Sequence, residues 1–316
     1  MTLFPLLTVL ATSSSTIIPI TFTPNPPMEL QQVGVPMINA EFGGRYGGVS
    51  MRPHVVHLGT VGQSLPSYDG ETRSGSFHYP QLRIQTANVS MMSIARPRHH
   101  RIDSYGGTRR NAIGIGPGSD LLRVGGPIDF VRQSSAEGVL RVGGSEDNFI
   151  ANDCLSDSVM RMATGIASSI RDYSPTVQVE TRVSVALADN VIRTRYVAIL
   201  DSDRFLLTMP HTWMANIFEA VSPYFDQMLP GTVFPGCNNM IHRLPTITLT
   251  FSAGGLRLVP EDYTRPIGND TCELLVGRMP DRTADQTIRF NPLLIPGINA
   301  RSTENEIILC DSAINL

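Results

Sequence analysis

The sequence predicts a mostly β protein, and three observations carry that expectation. Glycine and proline are plentiful, 27 and 23 of 316 residues, while long amphipathic helices are few, which is a composition of short strands and many turns. Val177–Leu187 (V-Q-V-E-T-R-V-S-V-A-L) alternates with period two, the pattern of a half-buried strand. Ala198–Pro210 (A-I-L-D-S-D-R-F-L-L-T-M-P) reads as strand, tight acidic turn and strand, and leads into a helix-like segment over Thr212–Val221. Such a turn holds the Asp201 carboxylate at the end of a strand. At 316 residues the chain is long enough for one large or two medium domains with a real core.

Charge is near balance at −3, so neither a nucleic-acid nor an anionic-membrane partner is implied. Lysine is absent, and every formally positive side chain is Arg. Leu3–Ala11 has the length of a signal-peptide apolar region and is followed by small residues, without a basic start. Residues 1–16 are read as a candidate signal peptide, a strand-forming or disordered tail being the alternative. No other apolar run is long enough to span a bilayer. Two acceptor sequons, at Asn88 and Asn269, fit a secreted or lumenal chain. The four cysteines (Cys154, Cys237, Cys272, Cys310) are too widely spaced for a metal knuckle, so paired disulfides are the reading, with no metal or cofactor.

Taken in order, a Pro-rich segment (Pro19 to Pro36) gives way to short runs punctuated by glycine. Tyr46–Met51 and His54–Leu58 are two of them, and the second enters Gly59-Thr60-Val61-Gly62-Gln63-Ser64-Leu65-Pro66-Ser67. Tyr68–Phe77 is a Gly-marked hairpin, and Gln81–Ile84 alternates like a strand. Ala95–Arg110 is basic, with one interleaved tyrosine (Tyr105) and no metal-ligand spacing, so it reads as a solvated loop. In Asn111–Ser119 glycines at 114, 116 and 118 let the chain pack closely beneath a neighbour. Gly138–Asp147 (G-V-L-R-V-G-G-S-E-D) follows, with paired glycines at 143 and 144.

These stretches together resemble the pepsin-like aspartic peptidases over nearly the whole chain, most closely from Ile113 onward. Ala198–Pro210 is similar to the second active-site loop, A-[IV]-[VL]-D-[ST]-G-[TS]-x-L-L-x-x-P, with Asp203 where the glycine stands and Arg204 after it. Asn111–Ser119 resembles the segment [DG]-G-[IV]-L-G-[LI]-G-P-x-S that backs the first loop. Cys237 through Cys272, with Leu244-Pro245 and Pro260-Glu261-Asp262-Tyr263 between, resembles the disulfide loop of the second lobe. Laid on the first loop, D-T-G-S-S-x-L-W-V-P-S, with Pro66-Ser67 as anchor, His57 takes the place of the first aspartate, Leu58 that of the threonine, and Gly59 keeps the glycine. Tyr68 and Gly70 fall on the flap, which is close to His57 in sequence, as if part of the first lobe were missing.

The resemblance implies a bilobal fold with a cleft between two lobes and an inter-lobe sheet, the first lobe over 28–140 (shortened) and the second over 141–316. It implies a Cys237–Cys272 bond, and a Cys154–Cys310 bond where Asn305–Cys310, the final strand, lies beside the chain leaving the first lobe. Leu293–Gly297 would stand where the family carries I-L-G-D before its last strands. Asp201 and His57 become the candidate catalytic residues, with Tyr68, Gly70, Gly59 and Ser202 lining a peptide-binding cleft in a monomer.

In this family two carboxylates share one proton, because like charges about 3 Å apart do not both ionise. No Asp-Thr-Gly or Asp-Ser-Gly occurs in the chain. A carboxylate facing an imidazole stabilises both ionised forms and loses the shared proton. Asp203 adds a side chain where the family's loop has none, and Leu58 and Ser202 break the reciprocal threonine pairing of the two loops. Three readings remain: a degenerate member that keeps its cleft for binding, an active peptidase with a His–Asp pair, and an interaction protein with a vestigial cleft.

Overall fold

A computed structural model of the chain describes residues 15–23, 35–42, 51–58, 77–78, 81–88, 90–95, 98–103, 109–168, 175–187, 190–200, 206–209, 233–278 and 287–314. Among these residues strands dominate, in a 13-stranded, an 8-stranded and a 3-stranded sheet.

The largest sheet is built from both ends of the chain. Its order runs Met160–Ala163, Glu306–Asp311, Ile298–Ser302, Ile128–Arg132, Glu137–Val142, Thr16–Thr23, Val35–Phe42, Arg52–His57, Arg109–Gly114, Arg98–Asp103 and Phe77–His78. Ile298–Ser302 pairs antiparallel with Ile128–Arg132, placing Ala300 opposite Phe130 and Arg301 opposite Asp129. This is the inter-lobe sheet: the last two strands of the chain lie against the hairpin that closes the first half. Thr16–Thr23 precedes residue 28 and still belongs to this sheet, and Glu137–Val142, its neighbour, spans the 140/141 boundary. Thr16 is also the last residue of the stretch expected as a candidate signal peptide, of which residues 1–14 lie outside the described residues.

Period-two alternation gives this sheet two unlike faces. Ile18, Ile20, Phe130, Leu140, Ala300 and Leu309 point into the main core. On the other face Val131, Ile308, Cys154 and Cys310 meet Phe149 in a second, smaller core. Phe149 belongs to the helix Glu146–Asp153, which starts at Ser145, whose Oγ accepts from the Asn148 N–H at 3.3 Å, and carries two acids in its first turn. Glu146 pairs with Arg161, and Asp153 with Arg141, so the helix lies across a charged face of the sheet.

The 8-stranded sheet contains Pro175–Leu187 and Asn190–Leu200, a long antiparallel hairpin, with Ile247–Phe251 on one side and Thr287–Phe290 on the other. The strand expected over Val177–Leu187 is thus present. The 3-stranded sheet (Val233–Pro235, Thr271–Leu274, Thr264–Gly268) carries a buried Arg265–Glu273 pair at 2.8 Å. The cysteines stand in two pairs at disulfide distance, Cys154–Cys310 with Cα atoms 5.4 Å apart and Cys237–Cys272 at 5.1 Å. The Tyr263 hydroxyl donates to the Pro245 carbonyl, so two ends of the motif between Cys237 and Cys272 meet.

One expectation is corrected. Ala95–Arg110 is not a loop throughout: Arg98–Asp103 and Arg109–Gly114 pair antiparallel, Asp103 opposite Arg109. A backbone ladder near the end of a sheet tolerates the charged side chains that hide its pattern. Leu293–Gly297 lies directly before the last two strands, and Leu293 and Leu294 form a short 3-10 turn with Pro292; the strand parallel to Asn190–Leu200 is Thr287–Phe290.

Candidate functional site

Each half of the chain repeats one device, a strand that ends in a parallel pair. In the first half Val35–Phe42 turns back as Arg52–His57, with Met37 opposite Val55. Arg52–His57 then runs parallel to Arg109–Gly114, pairing Val55 with Ala112, Val56 with Ile113 and His57 with Gly114. In the second half Pro175–Leu187 turns back as Asn190–Leu200, which runs parallel to Thr287–Phe290 and pairs Leu200 with Phe290. Parallel neighbours so close in space need a crossover, and here the intervening chain supplies each lobe's loops.

The two backing strands also continue alike, each into a buried segment and a short helical turn. After Gly114 come the buried Ile115 and the helix Asp120–Gly125, capped by Ser119, whose Oγ accepts from the Leu122 N–H at 3.2 Å. After Phe290 come Asn291 and the short turn Pro292–Leu294. The two parallel pairs end at His57 with Gly114 and at Leu200 with Phe290, and Asp201 is the residue that follows Leu200 in the sequence.

The described residues on either side of 201–205 are anchored. Leu200 and Leu206 are buried, the Leu206 N–H donates to Leu275 O at 2.9 Å, and the Asn291 N–H donates to Leu206 O at 2.8 Å. Asp201 and Ser202 themselves, like Gly59, Tyr68 and Gly70, lie outside the described residues. His57 is described as the end of its strand, and Leu58 beside it is fully buried. The sequon residues Asn88 and Asn269 both lie in exposed turns.

A network of buried charges in the inter-lobe sheet is not foreseen in the sequence. Arg141, Asp129 and Arg301 stand side by side on three neighbouring strands. Asp129 and Arg301 form a buried ion pair, Arg301 Nη2 donates to Gly144 O at 2.8 Å, and Asn299 Nδ2 donates to Asp153 O at 2.8 Å. Burial pushes the Asp129 carboxyl up to about 6, against the pull of Arg301. Arg132, stacked over the Phe22 ring at 4.0 Å, is pushed down to about 10 by burial alone. Tyr263 is raised by burial and then by Glu261. Strand alternation alone assigns Asp129 and Arg301 to a solvent face; only the helix over that face reverses the reading.

No protein-family model matches the chain, and no curated protein matches it in sequence. Solved structures do match in shape. An aspartic proteinase from Irpex lacteus superposes with a TM-score of 0.62 at 12% identity, over 95% of this chain and 98% of that one. Basic 7S globulin from soybean superposes with a TM-score of 0.61 at 9% identity, over 94% of this chain and 95% of the globulin. The chain has the mostly β, bilobal pepsin-like fold, with a cleft between two lobes and a shared inter-lobe sheet.

Proposed function

We propose that this chain is a secreted pepsin-like protein that holds peptide or protein segments in its cleft without ordinary aspartic hydrolysis. The observation that carries the reading is the register of the two parallel pairs. His57 ends its strand opposite Gly114, and Leu200, just before Asp201, ends opposite Phe290. A frame made to present two carboxylates then presents an imidazole and a carboxylate. Asp203 and Arg204 next to Asp201 work against the geometry and the proton sharing that hydrolysis needs. Two cysteine pairs at disulfide distance support an oxidising compartment, the cell exterior or an endomembrane lumen.

Binding without turnover is tested with a statine-containing peptide isostere of the pepstatin class. The account expects the isostere to raise the melting temperature progressively, with the logarithm of its concentration above Kd, through mass action on the folded state. An unchanged melting temperature at saturating isostere would refute a competent cleft and favour the vestigial one. A second reading, a His57–Asp201 peptidase, draws support from His57 standing at the strand end; it requires acid-pH cleavage that depends on both residues.

A further inference from the structure

We propose that Asn269 is an acceptor for an N-linked oligosaccharide, and that a race between glycan transfer and closure of the Cys237–Cys272 bond sets its occupancy. The inference rests on the lumenal reading above, and goes beyond it to a modification and what controls it.

Asn269-Asp270-Thr271-Cys272 occupies the turn that joins Thr264–Gly268 to Thr271–Leu274, with Gly268 opposite Thr271. Asn269 (φ 51°) and Asp270 (φ 53°) both adopt the left-handed conformation, the pair of positive angles a two-residue hairpin turn needs and that Asn and Asp tolerate best among side-chain-bearing residues. Both are exposed, so a sugar on the Asn269 amide meets solvent and no packed neighbour is displaced. The Thr271 hydroxyl donates to the Asn269 carbonyl at 3.2 Å.

The same turn is clamped by the disulfide segment. The Asp270 carbonyl accepts from the Cys237 N–H at 2.9 Å, and Asp270 Oδ1 accepts from the Asn238 N–H at 3.0 Å. Phe234, just ahead of Cys237, lies opposite Cys272 in the adjoining strand. Once Cys237 and Cys272 are joined, the sequon is held curled and hydrogen-bonded on both sides. A transferase must take the acceptor amide from a chain free to fit its own groove, so closure removes the substrate. The Asn88 sequon lies far in sequence from any cysteine; its turn is held by backbone bonds, Thr86 N–H to Ser90 O at 3.0 Å and Ala87 N–H to Ile17 O at 2.8 Å, and by no contact with a disulfide segment that the described residues show. It serves as an internal reference.

Two chemical steps compete for the turn. In transfer, Asn269 Nδ2 bonds to the anomeric carbon of a lipid-pyrophosphate oligosaccharide. The anomeric carbon–oxygen bond breaks, the lipid pyrophosphate leaves with its electron pair, and the amide releases one proton. In closure, the two thiols lose two protons and two electrons to an exchanging disulfide of the lumen.

The test uses the full chain in cultured secretory cells, once behind a strong cleavable leader and once with its own N-terminus. Both forms carry a C-terminal tag with its own acceptor sequon, which scores entry into the lumen. Newly made intracellular chains are collected before secretion, so misfolding of a variant does not hide the result. Occupancy is read by glycosidase release in heavy-oxygen water and peptide mass spectrometry. The expected result is partial occupancy of Asn269 in the parent chain, a severalfold rise in Cys237→Ser or under dithiothreitol with Asn88 unchanged, and loss in Asn269→Gln. A bare Asn269 in Cys237→Ser chains whose tag is modified would overturn the site. Equal occupancy with and without Cys237 would overturn the race. A tag modified only behind the added leader would count against the lumenal reading and leave the acceptor result standing.

Discussion

Asp129 and Arg301 stand directly opposite each other on neighbouring antiparallel strands, one from each half of the chain, and pair as buried ions. Arg141 stands on the other side of Asp129, and Asp153, from the covering helix, pairs with Arg141. The joint between the lobes is therefore held by alternating charges as well as by the apolar residues of the opposite face. Buried pairs of this kind stabilise little by themselves, because desolvation offsets most of the attraction, but they cost several kcal/mol when one member is lost. They also make the joint sensitive to pH.

Stability should rise on mild acidification. Folded Asp129 titrates at about 6 against 3.8 for an ordinary Asp carboxyl, so the folded state binds this proton more tightly. Its contribution is full below the lower value and lost as pH rises through the upper one. Asp262 and Asp311, raised chiefly by burial, act in the same direction. The melting temperature is expected to climb by a few degrees between about pH 7 and about pH 5, and Asp129→Asn should flatten that climb. Scanning calorimetry across the range checks both.

Gly144 should not accept a side chain. A Cβ there would lie 2.7 Å from Asp129 Oδ2, and the carboxylate is held by Arg301 and has little room to retreat. Gly144→Ala is expected to cost about 1–3 kcal/mol, the usual range for overpacking a tight interior. Urea unfolding with an unchanged slope and an earlier midpoint would register it.

The two cysteine pairs should contribute unequally. Cys154 and Cys310 are 156 residues apart in sequence and Cys237 and Cys272 are 35 apart. In the chain-entropy account the longer loop is worth about 5 kcal/mol and the shorter about 4 kcal/mol. Replacing Cys154 and Cys310 together by Ser should lower the unfolding midpoint more than the same change at Cys237 and Cys272. It should also raise hydrogen exchange first in Glu306–Asp311, the strand that Cys310 ties down.

Much of the fold was legible in the sequence because its signals are local. The Val177–Leu187 alternation, the spaced glycines near Gly114 and the order of residues between Cys237 and Cys272 each specify their own segment. What escaped is non-local. Asp129 and Arg301 look solvent-facing in strands that alternate, and only the helix Glu146–Asp153 on that face makes them interior. The strand Thr287–Phe290, parallel to Asn190–Leu200, was not read from the sequence because its four residues, T-I-R-F, carry no distinctive pattern of their own. Leu200 and Leu206, the described residues on either side of 201–205, are buried, as the apolar runs that flank Asp201 in the sequence imply.

The central claim is a retained frame with one acid of the pair replaced. The most direct measurement is cleavage of denatured casein or globin at acid pH by the parent chain and by Asp201→Ala, over a common range of enzyme concentration. The account predicts no cleavage by either above the buffer background, although the statine isostere still binds the parent. Cleavage by the parent that disappears in Asp201→Ala would contradict it, and would mean that a working catalytic pair is present after all.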